Sequence, residues 1–80
     1  MTNKHVDFVM GIKNITHLER VIFIYLINTA NEEYTVNSNQ TEIAYKCSCS
    51  VAKVYSAIKN LTKKGFLEKL KDNEYKIIFS

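Results

Sequence analysis

The sequence predicts an α+β fold, a three-helix core followed by a C-terminal β-hairpin. Three observations carry that reading. Thr16 and Glu19, three residues apart, open a long apolar segment in the pattern of a helix capping box. Ser50 and Gly65 bracket a second segment in which Val51, Val54, Ile58 and Leu61 recur at helical spacing. The last fourteen residues form two short β-prone runs on either side of Lys71-Asp72-Asn73, residue types that tolerate turn geometry.

Taken in order, residues 1–13 form an N-terminal arm of open conformation. Val6, Phe8, Met10 and Ile12 alternate as in an extended segment, while Val6, Val9 and Met10 equally fit a helical turn. Residues 14–80 form the domain proper. Its first helix runs from Thr16 to about Ala30, with Leu18, Val21, Ile22, Tyr25 and Leu26 as the expected core stripe. Phe23, Ile24 and Ile27 fall on the opposite face, which must therefore be covered too. Either the arm covers it or a second copy does, and a homodimer through Phe23, Ile24 and Ile27 is the leading expectation. Asn31-Glu32-Glu33 make a polar turn and Tyr34–Val36 a short strand that can join the hairpin. Ser38 or Asn39 caps a short helix from Gln40 to Lys46, with Ile43, Ala44 and Cys47 inward. Cys47-Ser48-Cys49 is a tight turn, and Ser50 caps the next helix, which ends at Gly65 with Lys63 and Lys64 in its last turn. Strands at 66–70 and 74–79 complete the chain.

Eighty residues make one domain with a modest core, and no proline and two glycines leave few bends written in. The net charge is +3, unevenly spread: residues 1–40 sum to −1, and residues 41–80, with eight lysines, to +4. The cationic half holds the helix-turn-helix segment, which suits a surface facing phosphate. With the Val51–Leu61 stripe turned inward, Ala52, Ser56, Lys59 and Lys63 face outward, flanked by Lys53 and Asn60 on one side and Tyr55 on the other. A helix entering a major groove needs such a face: small residues near base edges, hydrogen-bonding groups among them, cations at the margins. Lys53 and Ser56 are the base-edge candidates, Lys59 and Lys63 the phosphate candidates, and Ser50 and Ala52 begin the same surface. Gln40 and Thr41 offer a phosphate clamp at the start of the shorter helix. Lys69, Lys71, Asn73 and Lys76 do so on the hairpin, where alternation sets Lys76 on the same outer side as the other two lysines or close to it.

Catalysis, cofactors and metals are not expected. The two glycines are isolated, so no phosphate-binding loop exists. Cys47 and Cys49 lack a nearby histidine and a second cysteine pair, and read as buried thiols in a reducing cytoplasm. The apolar run at 21–27 is too short to span a bilayer. So short a chain has little room for a sensor domain, and no small-molecule ligand is expected.

The stretch from Ile43 to Leu67, IAYKCSCSVAKVYSAIKNLTKKGFL, resembles the winged helix-turn-helix superfamily, in an Ile-Ala pair, a turn, a capping serine, spaced apolar residues, and Lys-Lys-Gly before two apolar residues. Ser48 stands where members carry a turn glycine, which suits a helical or bridging backbone there. The chain looks like small bacterial transcription regulators of the multiple-antibiotic-resistance type. It looks equally like small plasmid replication proteins of low-GC Gram-positive bacteria, which share Gly-Phe-Leu and a hairpin close to Asn73–Ile77. The resemblance implies a double-stranded DNA binder, contacting DNA through Lys53, Ser56 and their neighbours and through the wing near Lys71. Three functions fit that outline. One is a transcription regulator acting by occupancy. A second is a plasmid or mobile-element accessory protein binding an origin or a single strand. The third is a protein-interaction module that has left DNA behind.

Overall fold

The computed structural model describes residues 3–79. Its elements are α1 (Asn3–Met10), α2 (His17–Thr29), β1 (Thr35–Asn37), α3 (Gln40–Cys47), α4 (Val51–Lys63), β2 (Leu67–Lys71) and β3 (Glu74–Ile77). The three strands make one antiparallel sheet in the order β1-β3-β2. α2, α3 and α4 with this sheet form the winged helix, and α1 is a fourth helix added to it. The alternation read in residues 6–12 is thus overruled by a helix that buries Val9 completely and half-buries Phe8. The Val6 side chain lies outside the described residues.

α1 explains the second apolar face of α2. Phe8 packs edge-on against Phe23, Phe66 and Phe79, with ring centroids 6.4, 6.0 and 5.5 Å apart. Arg20 donates from Nη1 to the Val9 carbonyl at 2.6 Å, satisfying a backbone acceptor in the last turn of α1. Phe23 is fully buried and Ile27 is 5% exposed, both inside the single chain. This corrects the expected dimer face: Phe23, beneath α1, and Ile27 are core residues of the single chain, and Ile24 is half-buried against the same core. The core stripe of α2 is correspondingly rotated. Ile22, Phe23, Leu26 and Ile27 are inside, whereas Val21 is 49% exposed and Leu18 and Tyr25 only half-buried.

Glu19 ties the helices together. One carboxylate oxygen accepts the Thr16 backbone N–H at 3.0 Å while Thr16 Oγ1 accepts from Glu19 N–H at 3.1 Å, closing the capping box. The other oxygen accepts from Asn60 Nδ2 of α4 at 2.8 Å. A box residue thus also fixes the position of α4 on α2. Glu19→Ala removes the box and leaves the Asn60 amide unpaired, and it is expected to cost about 2–3 kcal/mol of stability in urea unfolding. Glu19→Gln, which keeps an acceptor in place, should cost clearly less.

The helix-turn-helix turn is closed by the backbone. Cys49 N–H donates to the Ala44 carbonyl at 3.0 Å, and Ser48 lies in the left-handed region at φ 56°. α4 closes in the same way, Phe66 N–H donating to the Leu61 carbonyl at 3.0 Å across Gly65 at φ 87°. The two closures differ in that glycine takes the left-handed position after α4 and serine takes it after α3, correcting the helical or bridging conformation expected for Ser48. A side chain is strained at such a φ by about 1 kcal/mol. Ser48→Gly is therefore expected to raise the unfolding free energy by about that amount, and an unchanged or lowered urea midpoint would contradict it.

β1 starts one residue later than expected. Asn31 Oδ1 accepts from Glu33 and Thr35 N–H at 2.9 and 3.0 Å, and this side-chain turn holds Tyr34 at φ 61°. The hairpin turn carries Asn73 at φ 64°, an asparagine where one is tolerated. Ser38 N–H donates to the Asn73 carbonyl at 2.9 Å, so the wing tip is fastened to the entry of α3.

Candidate nucleic-acid interface

α4 sits on the core through Val54, Ala57, Ile58 and Leu61, each at most 5% exposed. Ser50 Oγ accepts from Lys53 N–H at 3.2 Å and starts the helix. Burial of that stripe forces Ala52, Ser56, Lys59 and Lys63 outward, and all four are exposed, as are Ser50, Lys53 and Tyr55. Among the described residues none covers this face. The outward direction follows the expected spacing of Val54, Ile58 and Leu61, with one correction: Val51, expected in the buried stripe, is 45% exposed at the start of the helix, and Ala57 takes the fourth buried place.

Two grooves run beside α4. On one side Ala52, Lys53, Ser56 and Ala57 face Thr16, Leu18 and Glu19 of the α2 entry across a space of about 270 Å³. On the other, Tyr55, Ile58, Lys59 and Thr62 face Gln40, Lys69 and Tyr75 across about 230 Å³. The second groove brings together expected contributors from three elements: Gln40 at the entry of α3, Tyr55 and Lys59 on α4, and Lys69 on the wing. Asn60 does not join the outward surface, since its amide is held by Glu19.

The wing divides its cations. Residues opposite one another in an antiparallel pair share a face of the sheet. Lys69 pairs with Tyr75, which is buried toward the helices, so Lys69 emerges on the α4 side. Lys76 pairs with Glu68 on β2 and Thr35 on β1, so it takes the opposite face, away from α4. This corrects the expectation that Lys76 shares a side with Lys69. Lys71 lies opposite Glu74 beyond a bulge between Lys69 and Lys71, at the exposed tip beside Asn73. The bulge is the reason simple alternation fails in β2. Lys69 Nζ also meets Asp72 Oδ1 at 3.5 Å, an exposed ion pair that a phosphate can displace at small cost.

The α3 entry is less cationic than free helix amides suggest. Asn39 caps it, its Oδ1 accepting from Glu42 N–H at 2.8 Å. Glu42 then sets a carboxylate in the first turn, held by Ser38 Oγ at 3.3 Å. That charge uses the helix dipole a phosphate would otherwise meet, in the same turn as Gln40 and Thr41.

Sequence reasoning passed over Tyr45, which is 81% exposed on α3, and Thr62, which lines the wing-side groove. Tyr45 sits opposite Ile43, Ala44 and Cys47 on the helix, and that spacing was the available signal. Cys47 and Cys49 are free thiols, half-buried rather than buried. Burial pushes the Cys47 thiol up, with Cys49 beside it adding to the shift, so Cys47 is a poor nucleophile at neutral pH. Among the described residues, no group of three or more His, Cys, Asp or Glu is placed to hold a metal ion. No helix among them is long and apolar enough to cross a membrane.

The profile of a helix-turn-helix domain matches residues 13–67, from just before α2 to the first residue of β2. A solved structure of the reduced, Fe(II) form of the CO-sensing protein from R. rubrum superposes on the chain with a TM-score of 0.71 at 20% identity. The superposition covers 94% of this chain and 34% of that one, so the chain spans about a third of that protein's length. At that identity the likeness speaks for the fold. No curated protein matches the chain.

Proposed function

The chain belongs to the helix-turn-helix domain family, and from that premise we propose that it binds double-stranded DNA and acts by occupying its site, as a transcription regulator does. The observation that carries this reading is the outer face of α4. Its lysines stand clear of the rest of the chain and continue across a groove to Lys69 on the wing. Small residues at the front of the helix, cations at its sides and a cationic strand beside it match the needs of a major-groove helix with a wing on the adjacent backbone. Occupancy is the mechanism because the surface offers contacts and no reactive constellation.

The test is to titrate the protein against random genomic fragments at several salt concentrations and sequence what stays bound. Retention that weakens steeply with salt, with a shared sequence among the survivors, is expected. A second reading, a protein-docking module, draws on the exposed Tyr45, Val51 and Tyr55. It becomes the better one if no fragment is retained even at low ionic strength. Survivors drawn from plasmid origins would move the assignment from transcription to replication with the same interface.

A further inference from the structure

We propose that the front of α4 reads its site through thymine methyl groups, so that the specific target presents thymines to Val51 and Ala52. The inference rests on the DNA-binding reading above and deepens it. The base-facing positions of a recognition helix are those of its first turns. Here they hold Val51, 45% exposed, Ala52, exposed, and Tyr55, 56% exposed. An apolar group in the major groove has one specific partner, the C5-methyl of thymine.

The side chains that make two-pronged contacts are arginine or lysine with guanine and asparagine or glutamine with adenine, and of these α4 exposes only lysines, which flank the apolar front. α4 carries no arginine or glutamine, and its single asparagine, Asn60, donates its amide to Glu19 at 2.8 Å. Ser50 spends its oxygen on the helix cap. Lys53, the cationic base-edge candidate, flanks the apolar front on the α2 side, and Lys59, a phosphate candidate, follows on the wing side. The exposed valine at the first helical position stands outside the hydrophobic core of the described residues, and a methyl-bearing groove supplies a partner for it.

The test replaces thymine by uracil, which removes the methyl and keeps the hydrogen-bonding edge. Genomic fragments enriched by the protein are amplified with deoxythymidine or with deoxyuridine triphosphate and their affinities compared at one salt concentration. Each buried methyl lost should weaken binding roughly fourfold, so two contacts give about tenfold or more. The Val51→Ser variant, altered at an exposed position, should bind the thymine and uracil duplexes more nearly alike while keeping the salt dependence of the parent. Equal affinity of the parent for both duplexes overturns the methyl reading and leaves DNA binding standing. Retention of neither duplex at low salt overturns both.

Discussion

Replacing Phe23 by alanine is expected to cost about 3–5 kcal/mol, a large part of what an 80-residue domain has to lose. The ring is fully buried, and it is shared by three elements. Phe8 of α1 lies against one side of it and Phe66, at the entry to β2, against another, with centroids 6.4 and 5.8 Å away. Truncation leaves a cavity that none of these rings can fill without moving the helix or strand that bears it. Urea unfolding followed by circular dichroism measures the loss. A cost below about 1 kcal/mol would mean that the face is not a core face and would return Phe23 to the surface.

The double reversal Lys53→Glu, Lys59→Glu is expected to weaken duplex binding by about 2–6 kcal/mol, roughly thirtyfold to twenty-five-thousandfold. Each change removes a cation and puts a like charge against the phosphates. Both side chains are exposed and neither belongs to the core, so the unfolding midpoint should stay close to that of the parent. Fluorescence anisotropy on an enriched fragment reads the effect, which should shrink as salt rises. An unchanged affinity would place the DNA somewhere other than α4.

Much of the fold was legible because its signals are local. The capping box at Thr16 and Glu19, the Ser50 cap and the Gly65 stop each depend on a few neighbouring residues, and each stands in the structure as the spacing implies. What could not be read was decided by partners distant in sequence. Phe23 looks like part of a free face until α1 is folded over it, and the short apolar run in α1 fits either a strand or a helix. Asn60 looks like a surface donor until Glu19, forty-one residues earlier, takes its amide.

The outward side of α4 was legible for the same local reason, and the wing was not. A single bulge between Lys69 and Lys71, with the register that sets Lys76 opposite Glu68, separates lysines that plain alternation puts together. Ser48 is the reverse case. Its left-handed backbone is imposed by the closure of α3 in spite of the residue type, so a serine there gave no sign of it.

The most direct measurement of whether the α4 face and its side of the wing hold DNA is the salt dependence of binding in single lysine-to-alanine variants. The logarithm of affinity is plotted against that of salt for the parent, Lys59→Ala, Lys69→Ala and Lys76→Ala. Lys59 and Lys69 border the same groove, and each should lower the slope by about one. Lys76, on the far face of the sheet, should leave it unchanged. A slope that falls for Lys76→Ala and holds for Lys59→Ala would contradict the account.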